Sequence, residues 1–159
     1  MATLNSLTHP LSQVDSVANQ GATHLVVIKY TDCTAAATTQ DWELTLPHVA
    51  ASRFQGFKLV KAVLKAAFTN SNAATSAIVL ISGTGTTNAA YLAGMEMWSG
   101  GTMIWLKPDI DPDTTTGLWA SLATANVRIT VTSANVSTMT AGEVHIYLII
   151  TDSDAEKSV

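Results

Sequence analysis

Residues 143–151 read EVHIYLIIT, with Val144, Ile146, Leu148 and Ile150 alternating with His145, Tyr147 and Ile149. A period of two places successive side chains on opposite faces of a pleated strand. Because the second set is itself largely apolar, both faces are expected to be covered, as in a central strand or one lying at an interface. Tyr147 and Ile149 are therefore candidate contact residues, beneath either a second sheet or a second protein.

Working outward from this strand, the chain repeats the same kind of segment. VRITVT (127–132) and HLVVIKYT (24–31) are rich in the β-branched and aromatic types that suit a pleated surface. QDWELTL (40–46) puts Trp42, Leu44 and Leu46 on one face and Asp41, Glu43 and Thr45 on the other, and Pro47 closes it. AIVLIS (77–82) is a short continuous apolar run, the pattern of a strand covered on both sides. Residues 91–98 and 103–106 read as two more strands separated by the turn residues Ser99, Gly100 and Gly101. A polar loop, KPDIDPDTTT (107–116), follows, and Leu118, Trp119 and Leu122 suggest one helical turn.

FKLVKAVLKAAF (57–68) fits two periods. As a helix it lines up Lys58, Lys61 and Lys65 on one stripe; as a strand it buries Val60, Ala62 and Leu64 and leaves Leu59 and Val63 with Lys61 and Lys65. Periodicity alone favours the helix slightly, but the neighbouring segments are all β-like, so strand is preferred. Seven or eight strands at intervals of roughly 8–12 residues predict an all-β, antiparallel β-sandwich, jelly-roll-like with about eight strands.

The domain is expected over 23–152, with an extended N-terminal arm at 1–22 and a polar tail at 153–159. In the arm Leu4, Leu7, Leu11 and Val14 have helix-like spacing, yet Pro10 interrupts it. These four residues are candidate contacts for a partner that orders the arm, since there is too little apolar density here for an independent fold.

A chain of 159 residues is the size of one domain. Charged residues make up only 13% of it, about half the roughly 25% of ordinary soluble domains. Such a surface is either dressed in Thr, Ser and Asn or hidden in contacts. The formal net charge of -4 and the absence of any Lys/Arg run argue against nucleic acid as a partner. No apolar run approaches the ~20 residues that cross a bilayer, and no signal-peptide pattern opens the chain. One cysteine, Cys33, forms no internal disulfide, which is compatible with assembly in a reducing cytoplasm.

Chemistry-bearing motifs are weak. Asp109, Asp111 and Asp113 alternate as calcium ligands do, but Thr114 and Ala120 stand where a calcium loop needs Gly and Glu, so no metal is expected and chelators should leave stability unchanged. Gly83-Thr84-Gly85 after a strand fails as a dinucleotide loop because Asn88 replaces the third glycine and no crossover helix follows. His9, His24, His48 and His145 are scattered, and no nucleophile signature surrounds Cys33. Trp42, Trp98, Trp105 and Trp119 suit core or interface better than a stacking platform for sugar. No catalytic residue and no cofactor site is expected.

The succession YTDCTAAATTQDWELTLP, FKLVKAVLKAAFTN, AIVLISGTGTTNAAYLAG and ANVRITVT…AGEVHIYLIITD, over residues 30–152, resembles small structural proteins of tailed-bacteriophage virions, in particular capsid decoration or cement proteins. The resemblance rests on strand order and turn chemistry. It implies a jelly-roll-like sandwich, commonly a homotrimer, with the major capsid protein or another virion protein as partner and the virion as location. Its alternatives are a tail or baseplate component and a carbohydrate-binding sandwich module.

Overall fold

The computed structural model describes residues 2–3, 8–43, 55–70, 76–83, 90–98, 103–106, 120–121 and 125–152. The strands among them are β1 (Ala2–Thr3), β2 (Thr8–Pro10), β3 (His24–Lys29), β4 (Thr39–Glu43), β5 (Gln55–Asn70), β6 (Ala77–Gly83), β7 (Ala90–Glu96), β8 (Met103–Leu106), β9 (Ala120–Ser121), β10 (Ala125–Val131) and β11 (Met139–Asp152). One short helix, α1 (Gln13–Ala18), stands between β2 and β3.

The pairing is nested. β3 pairs with β11, β4 with β10, β5 with β8 and β6 with β7, all antiparallel, as in one long hairpin whose tip is the β6–β7 turn. Rolling that hairpin up adds β11 to β5 and β10 to β6. The result is two sheets with orders β3-β11-β5-β8 and β4-β10-β6-β7, which is the two-layer jelly roll. The fold is therefore the all-β antiparallel sandwich expected from the strand pattern. The strand count needs correction, since six strands reach six residues or more rather than about eight. β4 has five residues and β8 four, β8 being bounded in the sequence by Gly100-Gly101 on one side and Pro108 on the other.

Residues 57–68 lie within the longest strand, as preferred over the helix. Their confusing period has a physical cause. Register shifts interrupt the β5–β11 ladder between Tyr147 and Leu148 and again between Glu143 and Val144. Each bulge adds a residue to one strand and breaks strict alternation, so the apolar spacing drifts from two.

The core lies between the sheets. Ile28, Leu64, Phe68, Ile146 and Leu148 from the six-stranded sheet meet Trp42 and Ile129 from the other, all with essentially no exposure. At one end Met97 ties the layers together: its N–H donates to Ala77 O at 2.6 Å and its carbonyl accepts from Phe68 N–H at 2.9 Å.

The N-terminal segment lies on the sandwich. β1 adds parallel to β4 and β2 antiparallel to β3, so the segment reaches the edges of both sheets on one side. Pro10 ends β2, an edge position where its missing N–H costs nothing. The helix begins only after that proline: Ser12 Oγ accepts from Asp15 N–H at 3.1 Å as its N-cap. Leu4, Leu7, Pro47, His48, the 107–116 loop with Asp109, Asp111 and Asp113, Trp119 and the 153–159 tail lie outside the described residues. At the expected helical turn near Trp119, the two described residues are the strand β9, paired with β5.

Candidate interaction surfaces

α1 is amphipathic in an unusual sense, because it buries none of its residues. Val14 and Val17, one turn apart, are 78% and 77% exposed, the highest values among the large apolar side chains described. Leu11, just before the N-cap, is half-buried, and its N–H donates to Thr23 O at 2.8 Å. The junction to β3 is firm. Ala22 is fully buried, and Thr23 Oγ1 accepts from Ile150 N–H at 2.9 Å. A rigid sandwich thus presents two valines to solvent on a helix with no core role of its own.

The outer face of the six-stranded sheet is the second surface. Val144, Ile146 and Leu148 of β11 point into the core, which turns Glu143, His145, Tyr147 and Ile149 outward. Tyr147 and Ile149 are half-buried and stand outside the core cluster, so neither lies beneath the second sheet. Leu25 and Val27 of β3 pair with Tyr147 and His145, and Lys61 and Val63 of β5 pair with the same two from the other side. Val63 is only 8% exposed although it too is outside the core cluster. The polar groups here are already engaged. His145 Nε2 lies 2.6 Å from Glu143 Oε1, and Lys61 Nζ sits 4.8 Å from the centre of the Tyr147 ring, in cation–π range. At the rim a shallow depression of about 250 Å³ is lined by His9, Val27, Lys29 and Asp32. Asp32 Oδ2 accepts from Lys29 N–H at 2.7 Å, which fixes the turn after β3.

The outer face of the five-stranded sheet is different in kind. Arg128 grips Asp41 through two bonds, Nε to Oδ1 at 2.6 Å and Nη2 to Oδ2 at 2.8 Å. The hydrogen bond that Arg128 donates to Asp41 raises the guanidinium above its ordinary value, against a partial opposing effect of burial. Both side chains keep about a fifth of their surface in water, so the pair orients more than it stabilises.

The candidates for chemistry sit apart from one another. Cys33 is buried, and burial first, then the charge of Asp32, pushes its thiol up to about 12. At neutral pH it is a protonated thiol, the opposite of an activated nucleophile. Cys33 Sγ donates to Lys29 O at 3.8 Å, while His24 Nδ1 lies 2.9 Å from Thr23 Oγ1 and His145 Nε2 2.6 Å from Glu143 Oε1. Among the described residues no three His, Cys, Asp or Glu side chains are grouped to hold a metal ion. No helix described is long and apolar enough to cross a membrane. Trp42 is 1% exposed in the core, which removes it from any stacking platform, and Trp98 is half-buried, packed against that core. The β6–β7 pairing across Ser82 and Ala90 makes the glycine-rich stretch at 83–88 the link of an antiparallel hairpin, not a βαβ crossover.

Sequence reading picked out Val14, Tyr147 and Ile149 but passed over Val17, Leu25, Val27 and Val63. The signals were present. Val14 and Val17 share the three-residue spacing of a helix face, and HLVVIK alternates so that Leu25 and Val27 fall opposite Val26 and Ile28.

No family model matches the chain, and no curated protein matches it. A solved structure described as "CBM4 structure and function" aligns over 86% of this chain and 87% of its own, at 9% identity and a TM-score of 0.28. A likeness that slight carries no argument about function, which rests on the surfaces themselves.

Proposed function

We propose that this chain is a non-enzymatic structural subunit of a tailed-phage virion, decorating and stabilising the capsid by bridging neighbouring capsid subunits. The observation that carries the reading is Val14 and Val17, exposed one turn apart on a helix that buries nothing of its own. Burying each against a capsid groove contributes about 1.5–3 kcal/mol before ordering costs. α1 is already folded and anchored through Ala22 and Thr23, so those costs are small. Repeated over many sites, modest contacts sum to a shell that resists internal pressure.

The protonated Cys33 thiol and the charge-poor composition fit a protein that works by contact. Its partners are then the major capsid protein and further copies of itself, and its location the virion. The test is co-sedimentation of the purified chain with capsids lacking it, followed by cryo-EM of the loaded particles. Density over capsid subunits, lost in V14D/V17D, is the expected result. A chain that stays in the supernatant, or that locates to the tail or baseplate, overturns the reading. Glycan binding by the folded chain would favour the carbohydrate-module alternative instead.

A further inference from the structure

A turn under strain joins the N-terminal segment to the sandwich. After Asn19, the C-cap of α1, both Gln20 and Gly21 take the left-handed conformation, with φ of +59° and +83°. Gly21 N–H donates to Ser16 O at 2.8 Å and Gln20 N–H to Val17 O at 3.4 Å, the bonding of a helix stop whose first left-handed place is normally glycine. Here that place holds glutamine, whose Cβ crowds the backbone at positive φ.

What lies ahead of the turn is lightly held. Among the described residues none from His9 to Gly21 is buried. β2 meets β3 through three residue pairs and β1 meets β4 through two, with a further bond from Leu11 N–H to Thr23 O. These are main-chain contacts along sheet edges, and an identical edge on another copy offers the same ones.

We propose that two copies of this chain exchange residues 1–19, so that β1 and β2 of each add to β4 and β3 of the other while the turn at Gln20 and Gly21 straightens. The exchange keeps each edge pair and relieves the left-handed turn in both chains, the circumstance in which a short strained hinge favours swapping. The pivot is confined to the turn, because Ala22 is fully buried in its own sandwich and Thr23 N–H donates to Leu148 O at 2.8 Å. α1 stays folded, and with the straightened hinge it spans roughly 20 Å, which limits how far apart the two β3 edges lie. Two arms fill two edges, so the dimer is closed. The inference rests on the fold alone and not on a place in a virion.

Size-exclusion chromatography with light scattering tests this on the full chain at about 0.1–1 mM, since the chain's own arm competes at an effective concentration of order millimolar. A dimer is expected beside the monomer. His9 and Leu25 oppose each other in the β2–β3 pairing, so in H9C/L25C the oxidised dimer should run as two linked chains on a denaturing gel without reductant, and the monomer as one. Cys33 is buried and does not compete. Gln20→Gly relaxes the closed turn and should weaken dimerisation roughly tenfold or more, because each dimer contains two hinges. Gly21→Pro fixes φ at about −65° and removes the N–H given to Ser16, so it should shift the chain toward dimer. A wild type monomeric throughout this range, an oxidised H9C/L25C dimer that resolves into single chains, or a Q20G dimer as strong as the wild type's would each overturn the proposal.

Discussion

The ring of Phe68 on β5 lies flat against the bare Cα of Gly142 on β11. A Cβ on residue 142 would sit 2.8 Å from the ring's Cε1 and closer still to Cγ and Cδ1, and the glycine's φ of +136° is one that side chains rarely adopt. One of the register shifts of the long β5–β11 ladder falls at this point, between Ala141 and Glu143. Phe68 itself has no exposed surface. A single missing Cβ lets the fully buried Phe68 ring close one end of the core.

Gly142→Ala should therefore destabilise by about 2–4 kcal/mol, combining overpacking with backbone strain. For a chain of this size that lowers Tm by roughly 5–15 °C. Adding F68L should recover part of the loss by removing the ring edge. A G142A melt indistinguishable from wild type would show that the close approach is absent in solution.

Cys33 makes a pH prediction. Its thiol is pushed up to about 12 in the folded protein, against an ordinary value near 9. Between those values the unfolded chain has lost the proton and the folded chain has kept it, so stability is full below pH 9 and falls as pH rises toward 12. The slope due to this group is at most about 1.4 kcal/mol per pH unit. Urea unfolding of wild type and Cys33→Ala at pH 8, 9.5 and 11 should show the gap between them narrowing with pH. A thiol-reactive dye at pH 8 should label only unfolded protein, and rapid labelling of the native state would contradict the burial.

Among the described residues Gln40 is a polar side chain that is buried. Its Oε1 accepts from Thr34 N–H at 2.8 Å and Ala35 N–H at 2.9 Å, while Nε2 donates to Asp32 O at 2.8 Å. One side chain thus substitutes for a strand partner along the β3–β4 connection. Gln40→Leu leaves three backbone groups unpaired and should cost about 2–4 kcal/mol. Hydrogen exchange should accelerate at Thr34 and Ala35 before it does in the strands; protection unchanged at those amides would remove Gln40 from this role.

Most strands were legible because each carries its own signal. Residues 103–106 and the start of β6 at Ala77 match the expected ranges, and β11 was evident from its alternation. The order of strands was not legible, since pairing depends on which edges meet after rolling. Residues 91–98 and 103–106, separated in the sequence by Gly100 and Gly101 among others, went to opposite sheets as β7 and β8. The contact surfaces were half legible for the same reason. Tyr147 announced itself as an apolar residue on the wrong face of a strand, whereas the lysines of β5 and β3 became one surface only when β11 was laid between them.

The N-terminal segment gives the last prediction, because it combines two roles that truncation separates. No described residue before Val26 belongs to the core cluster, and on that ground the sandwich should fold without residues 1–22. Yet β2 contributes three paired residues to the β3 edge, β1 two to the β4 edge, and Ala22 is fully buried. A chain starting at Ser12 loses both added strands but keeps α1. It should lose about 1–3 kcal/mol, or roughly 2–12 °C in Tm, and its newly bared edges should raise its tendency to aggregate. A chain starting at Thr23 loses Val14 and Val17 as well, which are exposed in the folded protein, so its further loss of stability should be no more than the roughly 1 kcal/mol that the buried methyl of Ala22 contributes. Capsid binding should follow the other pattern: kept by the chain starting at Ser12, abolished in the one starting at Thr23 and in V14D/V17D. If the shorter chain unfolds without cooperativity, the segment is part of the fold's foundation. If it binds capsids as well as the full chain does, α1 is not the attachment.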